Sequence, residues 1–94
     1  MPFPQQKGNP FTRDSVEKLS PNQTGVYGLY SDEKWIYIGS GNIRERLLAH
    51  LEGNNLCIAA NGPTHWVAEI TPDTVNREKQ LIMEHRPICN QRAS

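Results

Sequence analysis

The feature that most constrains the fold is a pair of short apolar and aromatic segments joined by a polar connection. Residues 26–30 and 35–38 are rich in β-branched and aromatic side chains, which favour strands. The polar residues 31–34 connect them, and the turn-forming residues 21–25 precede the first segment. This pattern predicts a β-hairpin.

A helix is predicted after the hairpin. Asn42 and Glu45 form a capping-box pair at its start, and Gly53 ends it. Its apolar stripe consists of Ile43, Leu47, Leu48 and Leu51. Residues 54–63 are predicted to form a loop, and the type of the short apolar run at 56–60 within it stays open.

A third strand and a second helix follow in the C-terminal half. Residues 64–70 alternate, with Trp66, Ala68 and Ile70 on one side. The helix runs from about residue 72 to residue 84 or 85, since proline suits a first helical position and Pro87 stops it. The order is therefore β-β-α-β-α.

The N-terminal residues carry few periodic apolar positions. We expect residues 1–20 to be an arm, loose over 1–12, with a possible short helix at 14–19. Residues 21–94 then form the domain.

Charge and hydropathy restrict the function and the location. Ten basic and ten acidic residues among 94 give a net charge of zero, which excludes a polycation that binds many phosphates at once. No apolar run approaches the ~20 residues of a membrane span, and the N-terminus lacks the apolar core of a signal peptide. We therefore expect a cytoplasmic protein without a membrane partner, in which Cys57 and Cys89 are reduced thiols.

Two tyrosines of the hairpin are the first candidates for chemistry. Tyr27 and Tyr37 are ten positions apart, so they share a face only if the connection has an odd number of residues. With an even number they lie on opposite faces, and each is then an ordinary packing residue with a polar tip. On one face, beside a strand break at Gly39, they indicate a site.

Arg46 and His50 lie one turn apart at the edge of the apolar stripe of the first helix. At this edge an arginine can be held against the sheet. The alternative is a surface histidine and an arginine whose aliphatic part packs on the core. Arg44 and Glu45 project elsewhere.

Glu78 occupies an unusual position on the last helix. The residues that share its face are Val75, Leu81, Ile82 and His85. A carboxylate on such a core-facing stripe is costly unless it is paired or binds a cation, so both a salt bridge to an arginine and a metal ligand are open. Together with the tyrosines, arginine and histidine, it provides what phosphodiester cleavage needs: an oxygen ligand for a hard cation, a positive charge, and groups that orient water.

Four motifs, in this order, resemble the GIY-YIG nuclease family. Residues 25–27 (Gly-Val-Tyr) and 37–39 (Tyr-Ile-Gly) match its two signature triplets. Residues 42–51 resemble the family helix that carries an essential arginine. Residues 78–90, from Glu78 through Arg-Pro to Asn90, resemble the closing segment best known from bacterial excision-repair nucleases.

The resemblance implies an α+β fold in which helices flank a small three-stranded antiparallel sheet. It also implies an endonuclease that hydrolyses DNA with Mg²⁺ or Mn²⁺. The roles it implies are metal ligand for Glu78, phosphate stabilisation for Arg46, water activation for Tyr27, a lining role for Tyr37, an auxiliary role for His50, and a structural role for Asn90. Gly39, Ser40 and Arg44 are the expected substrate contacts.

Departures from the family pattern concern DNA binding. Many members have a lysine where Ser40 stands, and the link from Ser40 to the helix is about one residue shorter than in repair members. Family nucleases usually append a DNA-binding domain, for which we expect no room here. A recruiting protein or a homodimer would supply that surface.

Two other functions are open. The chain can be a weak or inactive module that binds nucleic acid or a protein, which its neutral charge favours. It can also be a structural domain in which Arg46 and Glu78 form a buried ion pair. The complete set Tyr27, Tyr37, Arg46 and Glu78 favours the nuclease.

Overall fold

The computed structural model describes residues 8–32 and 34–90. The strands and helices in chain order are β1 (Asn9–Pro10), α1 (Arg13–Glu17), β2 (Thr24–Ser31), β3 (Lys34–Asn42), α2 (Ile43–Leu51), α3 (Leu56–Asn61), β4 (His65–Ile70), α4 (Thr74–His85) and a 3₁₀ turn (Ile88–Asn90). The α+β class predicted from the sequence is confirmed.

The hairpin contains a β-bulge that decides the faces of its side chains. Tyr27 is paired with Gly39 and Leu29 with Tyr37, but Tyr30 is paired with Trp35, so Ile36 is an extra residue on β3. Only two residues separate the strand ends, which by itself would place Tyr27 and Tyr37 on opposite faces. The extra residue, Ile36, has the same effect as a connection with an odd number of residues, so the two tyrosines lie on the same face. β3 also continues through Gly39 to Asn42, so the predicted break at Gly39 is wrong.

The sheet has four strands in the order β1-β4-β2-β3, and each pairing is antiparallel. The prediction of three strands is therefore wrong by one short edge strand. Asn9 and Pro10 pair with Trp66 and His65, and the Phe11 amide donates to the Thr64 carbonyl at 2.9 Å.

The predicted N-terminal arm is ordered where the structure describes it. β1 corrects the loose arm at residues 9 and 10, and α1 confirms the short helix, with Thr12 accepting from the Ser15 amide. Val16 is fully buried in the core. Residues 1–7 lie outside the described residues, and the domain boundary at residue 20 stays a prediction.

Helices cover both faces of the sheet. On one face, Val16 of α1, residues of α2 and Ile58 of α3 pack against side chains of the strands; the buried set is Val16, Tyr27, Leu29, Ile36, Ile43, Leu47, Ile58 and Trp66. On the other face Leu81 of α4 packs with Val26, Ile38 and Val67. Tyr27 and Tyr37 therefore belong to the α2 side of the sheet.

The helix boundaries follow local signals. The Asn42 side chain accepts from the Glu45 amide at 3.3 Å, which confirms the N-cap of α2. The open run at 56–60 lies in helix α3, where Asn55 is the N-cap and left-handed Gly62 ends the helix. α4 starts two residues later than predicted, after Asp73 rather than at Pro72.

A disulfide joins Cys57 on α3 to Cys89 in the 3₁₀ turn, with Cα atoms 5.7 Å apart. The prediction of two reduced thiols is therefore wrong. The cysteines are separated by 32 positions, and only the packing of α3 beside the C-terminal turn brings them within bonding distance. Among residues 8–32 and 34–90, no helix is long and apolar enough to span a bilayer.

Candidate active site

Tyr27 is at the centre of the candidate site. Its side chain is fully buried, and its hydroxyl lies 2.8 Å from His50 Nε2 on α2. Its ring lies over Gly39, because a Cβ at position 39 would lie only 2.5 Å from Tyr27 Oη. The absence of a side chain at Gly39 therefore makes room for the phenol.

Tyr37 completes an aromatic group on this face of the sheet. Its ring centroid lies 6.3 Å from that of Tyr27 and 5.2 Å from that of His50. Tyr37 is half-buried, whereas Tyr27 is enclosed. The phenol of Tyr37 is thus the more accessible of the two.

His50 is held on both sides of its ring. Nε2 contacts the Tyr27 hydroxyl, and Nδ1 lies 2.9 Å from Asn54 Oδ1. The residue is only 6% exposed, which rules out the surface histidine of the alternative interpretation. Burial lowers the pKa of His50, an effect that the Asn54 bond partly offsets and the charge of Arg46 adds to. The imidazole is therefore neutral at neutral pH.

Arg46 lies one turn before His50 and is exposed. Its stem passes over Gly41, since a Cβ there would lie 3.5 Å from Arg46 Cγ. Gly41 has φ +128°, a conformation that side chains disfavour, so the turn into α2 requires glycine at this position. The Arg46 guanidinium lies near enough to the Tyr27 hydroxyl to lower its pKa.

Charges from two helices, Arg46 on α2 and Glu78 on α4, act on the phenols. Burial is the main cause that raises the pKa of Tyr27; the neighbouring Tyr37 and Glu78 raise it further, and the charge and hydrogen bond of Arg46 lower it. The pKa of Tyr37 is also raised, mainly by burial and then by Glu78, while Arg46 lowers it. Both phenols are therefore protonated at neutral pH, with a cation and an anion nearby.

Glu78 is half-buried on α4, and its negative charge raises the pKa of both tyrosines. Within the part of the chain that the structure describes, no salt bridge joins Glu78 to Arg46. The buried ion pair expected for a purely structural domain is therefore absent. On this helix Arg77 pairs with Glu69 through two hydrogen bonds of 2.8 Å. Val75, expected beside Glu78 on the apolar stripe, is exposed.

Glu78 offers a hard oxygen ligand for a divalent cation. No cluster of three or more His, Cys, Asp or Glu side chains occurs among the described residues. A cation at this site would therefore take one carboxylate from the chain and fill its other positions with water, an arrangement that Mg²⁺ tolerates well. The donor set fits such an ion.

Asn90 closes the far side of β3. Its Oδ1 accepts from the Ile38 amide at 2.8 Å, and its Nδ2 donates to the Ile38 carbonyl at 3.0 Å. β3 is an edge strand, so these two bonds satisfy backbone groups that have no neighbouring strand. They fix the backbone one residue before Gly39.

The expected substrate contacts divide into two groups. Gly39 lies under the Tyr27 ring, and Ser40 follows it on β3, half-buried and opposite Val26. Arg44 lies elsewhere, on a surface groove that includes Pro21 and Leu48. The fold thus brings Tyr27, Tyr37 and His50 into contact and places the charges of Arg46 and Glu78 where they act on the phenols, whereas Arg44 lines a different groove.

Asn54 is a contact that the sequence did not reveal. It follows α2 in a stretch predicted only as loop, and its side chain contacts His50. The spacing of four residues from His50 is the one signal that pointed to it, since residues four apart meet on a helical turn. That signal is weak beyond Gly53.

The comparisons with known proteins give structural matches only. No family model matches the chain, and no curated protein matches it. Similar crystal structures include the GIY-YIG N-terminal endonuclease domain of UvrC from Thermotoga maritima, in three point mutants bound to the catalytic divalent cation.

The three mutant structures match this chain with similar TM-scores and sequence identities. One tyrosine-to-phenylalanine mutant matches with a TM-score of 0.68 at 23% identity. A second such mutant and an asparagine-to-alanine mutant give 0.63 and 0.64 at 22% identity. Each match covers 86% of this chain and 100% of that domain. At this identity the similarity establishes the fold.

Proposed function

We propose that this chain, which has the fold of a GIY-YIG endonuclease domain, is a divalent-metal-dependent endonuclease that hydrolyses phosphodiester bonds in DNA. One observation carries the proposal: a carboxylate on α4 and a guanidinium on α2 both act on two neighbouring phenols, which lie on β2 and β3. A fold that needed these groups only for stability would pair Glu78 with Arg46, and the described residues show no such pair.

The roles of the charged residues follow from their positions. Glu78 would hold Mg²⁺ or Mn²⁺, and the UvrC domains of the same fold are bound to a catalytic divalent cation. A cation held there would supply positive charge against the charge that develops on the phosphate. Arg46 is exposed and close to the Tyr27 hydroxyl, so it can contact the same phosphate and stabilise it further.

Tyr27 is the group that orients and deprotonates the attacking water. Its raised pKa means that the phenol begins protonated and can accept a proton only if it passes its own to another group. His50, neutral and 2.8 Å away, is that group. Tyr37 lines the open side of the site, and Gly39, Ser40 and Arg44 are proposed substrate contacts.

A cleavage assay tests the proposal. Wild type is incubated with labelled plain, nicked, branched and single-stranded DNA, in Mg²⁺, in Mn²⁺ and in EDTA. We expect products with either metal on at least one substrate, none in EDTA, and none from Glu78→Gln. Glu84→Gln, the same change at an exposed position of α4, should cleave like wild type.

The alternative is a module of this fold that binds nucleic acid or a protein without cleaving. The net charge of zero favours it, because few phosphate contacts are available. Under this alternative no metal-dependent product appears, and Glu78→Gln changes only stability. For the nuclease, a recruiting protein or a homodimer would compensate for the same weak charge, and light scattering with and without DNA tests the homodimer.

The expected cytoplasmic location needs separate support. The disulfide between Cys57 and Cys89 does not favour this location, because disulfides are typical of oxidising compartments. Trapping free thiols in living cells before lysis tests it. Two trapped thiols would support a cytoplasmic protein, and a fully oxidised pair would oppose it.

A further inference from the structure

A chain of hydrogen bonds runs from the candidate site to the end of α2. The Tyr27 hydroxyl contacts His50 Nε2 at 2.8 Å, and His50 Nδ1 contacts Asn54 Oδ1 at 2.9 Å. The first two side chains are buried, and the third lies at the exposed end of the chain. Asn54 therefore touches His50 on the side away from the site.

We infer that Asn54 is a positioning residue that fixes His50 in the tautomer with an unprotonated Nε2 directed at Tyr27. This inference rests on the proposed function for its catalytic meaning, although the tautomer itself is a property of the folded protein. Asn54 would touch neither substrate nor metal and would act only through His50.

The donor and acceptor rules lead to this tautomer. A neutral imidazole has one N–H and one lone pair, and an amide oxygen only accepts. With Asn54 Oδ1 at Nδ1, the proton of His50 lies on Nδ1, and Nε2 keeps the lone pair. Nε2 can then accept from the Tyr27 O–H.

Arg46, the other neighbour of the Tyr27 hydroxyl, also favours a hydrogen bond in which Tyr27 donates to His50 Nε2. The nearby Arg46 guanidinium lowers the pKa of Tyr27, and a guanidinium has donors only. Toward Arg46 the phenol oxygen can therefore only accept, which leaves its single proton to point at Nε2. In the opposite tautomer, Nε2 and the guanidinium would both direct donors at the oxygen, and the phenol proton would have no partner in this chain of bonds.

In this tautomer, His50 Nε2 is ready to accept a proton during catalysis. When Tyr27 takes a proton from water, its own proton moves along the existing bond to Nε2, and His50 becomes imidazolium with Asn54 accepting from Nδ1. The O–H bond of water breaks, an O–H bond re-forms on Tyr27, and an N–H bond forms on His50, so the protons balance. Without Asn54, part of the population would carry the proton on Nε2 and could not accept another there.

Nitrogen NMR of the histidine rings tests the inference without any activity. The chain has three histidines, and the ring of His50 is assigned by its absence in His50→Gln. We expect wild type to show protonated Nδ1 and unprotonated Nε2. Asn54→Ala should reduce the ratio of this tautomer to the other by about tenfold, the effect of one ordinary hydrogen bond. Asn54→Asp should keep the tautomer, because a carboxylate also accepts.

The matched control is Asn76→Ala, which removes an exposed asparagine on α4 that bonds Asp73 at 3.2 Å. It should leave the His50 resonances unchanged. A thermal melt of each variant confirms folding, and Asn54→Asp keeps the test decisive if Asn54→Ala unfolds. Protonated Nε2 in wild type would overturn the inference.

The pH dependence of single-turnover cleavage provides the second readout. The titratable and charged groups facing His50 are Tyr27 on β2, Tyr37 on β3 and Arg46 on its own helix. Asn54→Asp adds a negative charge that favours imidazolium, so the fall of the cleavage rate on the acid side of the pH profile should move to higher pH. Asn54→Ala should cleave about tenfold more slowly. Unchanged rate and profile in both would overturn the positioning role. A correct tautomer in a protein that cleaves no DNA would contradict the proposed function alone.

Discussion

Gly39→Ala is the perturbation whose effect the structure specifies most fully. A Cβ at this position would lie 2.5 Å from Tyr27 Oη, 2.7 Å from Tyr27 Cζ and 2.8 Å from Tyr37 Cε2. Carbon atoms in good contact are about 3.5–4.0 Å apart, so the tyrosines must move by about 1 Å. Tyr27 is fully buried and bonded to His50, so this movement disturbs the packing around it.

The expected cost follows from these contacts. Overpacking of a core costs about 1–3 kcal/mol, and loss of the Tyr27–His50 hydrogen bond adds about 1 kcal/mol. We therefore expect Gly39→Ala to lower the free energy of unfolding by about 2–4 kcal/mol. For a domain of this size, that lowers Tm by about 10–20 °C. Cleavage should fall with it, because the moved phenol no longer faces His50.

A double-mutant cycle isolates the contact. Tyr27→Phe removes the atom closest to the new methyl group, so the combined variant should be about 1 kcal/mol more stable than the sum of the single changes. The control is Gly62→Ala, where a Cβ meets nothing within 4 Å and φ is +55°. It should cost about 1 kcal/mol from backbone strain and be additive with Tyr27→Phe. Urea unfolding measures all five variants, and additive effects of Gly39→Ala and Tyr27→Phe would show that the new methyl group does not clash with the phenol.

Three further predictions concern stability. Replacing Cys57 and Cys89 by serine opens a loop of 32 positions and should lower the free energy of unfolding by about 3.5 kcal/mol, measured in urea; a loss below about 1 kcal/mol would contradict it. Asn90→Ala removes two bonds to the edge strand and should cost about 2 kcal/mol by thermal melting, with Asn90→Asp, which keeps the acceptor, costing less. The pKa of His50 is lowered on folding, so the unfolded chain binds more protons below about pH 6.5, and stability should fall by up to about 1.4 kcal/mol per pH unit as pH decreases through that window. Unfolding followed between pH 7.5 and 5 measures this slope, which should be smaller in His50→Gln; equal slopes would count against the buried neutral histidine.

The sequence predicted the strong periodic elements and failed where a single residue or a distant contact decides the structure. The hairpin, α2 and β4 follow from apolar patterns and an N-cap that are local. Whether Tyr27 and Tyr37 share a face depended on a bulge at Ile36, which no local pattern marks. The sequence alone is therefore compatible with both arrangements of the two tyrosines.

Long-range pairing explains the remaining differences. β1 is only Asn9–Pro10, too short for any alternation, and it becomes a strand because β4 offers a free edge. The disulfide depends on α3 lying beside the C-terminal turn, which sequence spacing does not indicate. Asn54 joins the site only through its contact with His50, so its part in the site follows from the fold rather than from a motif.

The central claim is that Glu78 holds the cation with which this fold hydrolyses DNA. The most direct test is the single-turnover cleavage rate on the best substrate as a function of Mg²⁺ concentration, for wild type, Glu78→Gln and Glu84→Gln. We predict a rate that rises and saturates for wild type and Glu84→Gln, and a loss of at least about 100-fold for Glu78→Gln that high Mg²⁺ does not restore. A Glu78→Gln protein that cleaves with the wild-type dependence on Mg²⁺ would contradict it.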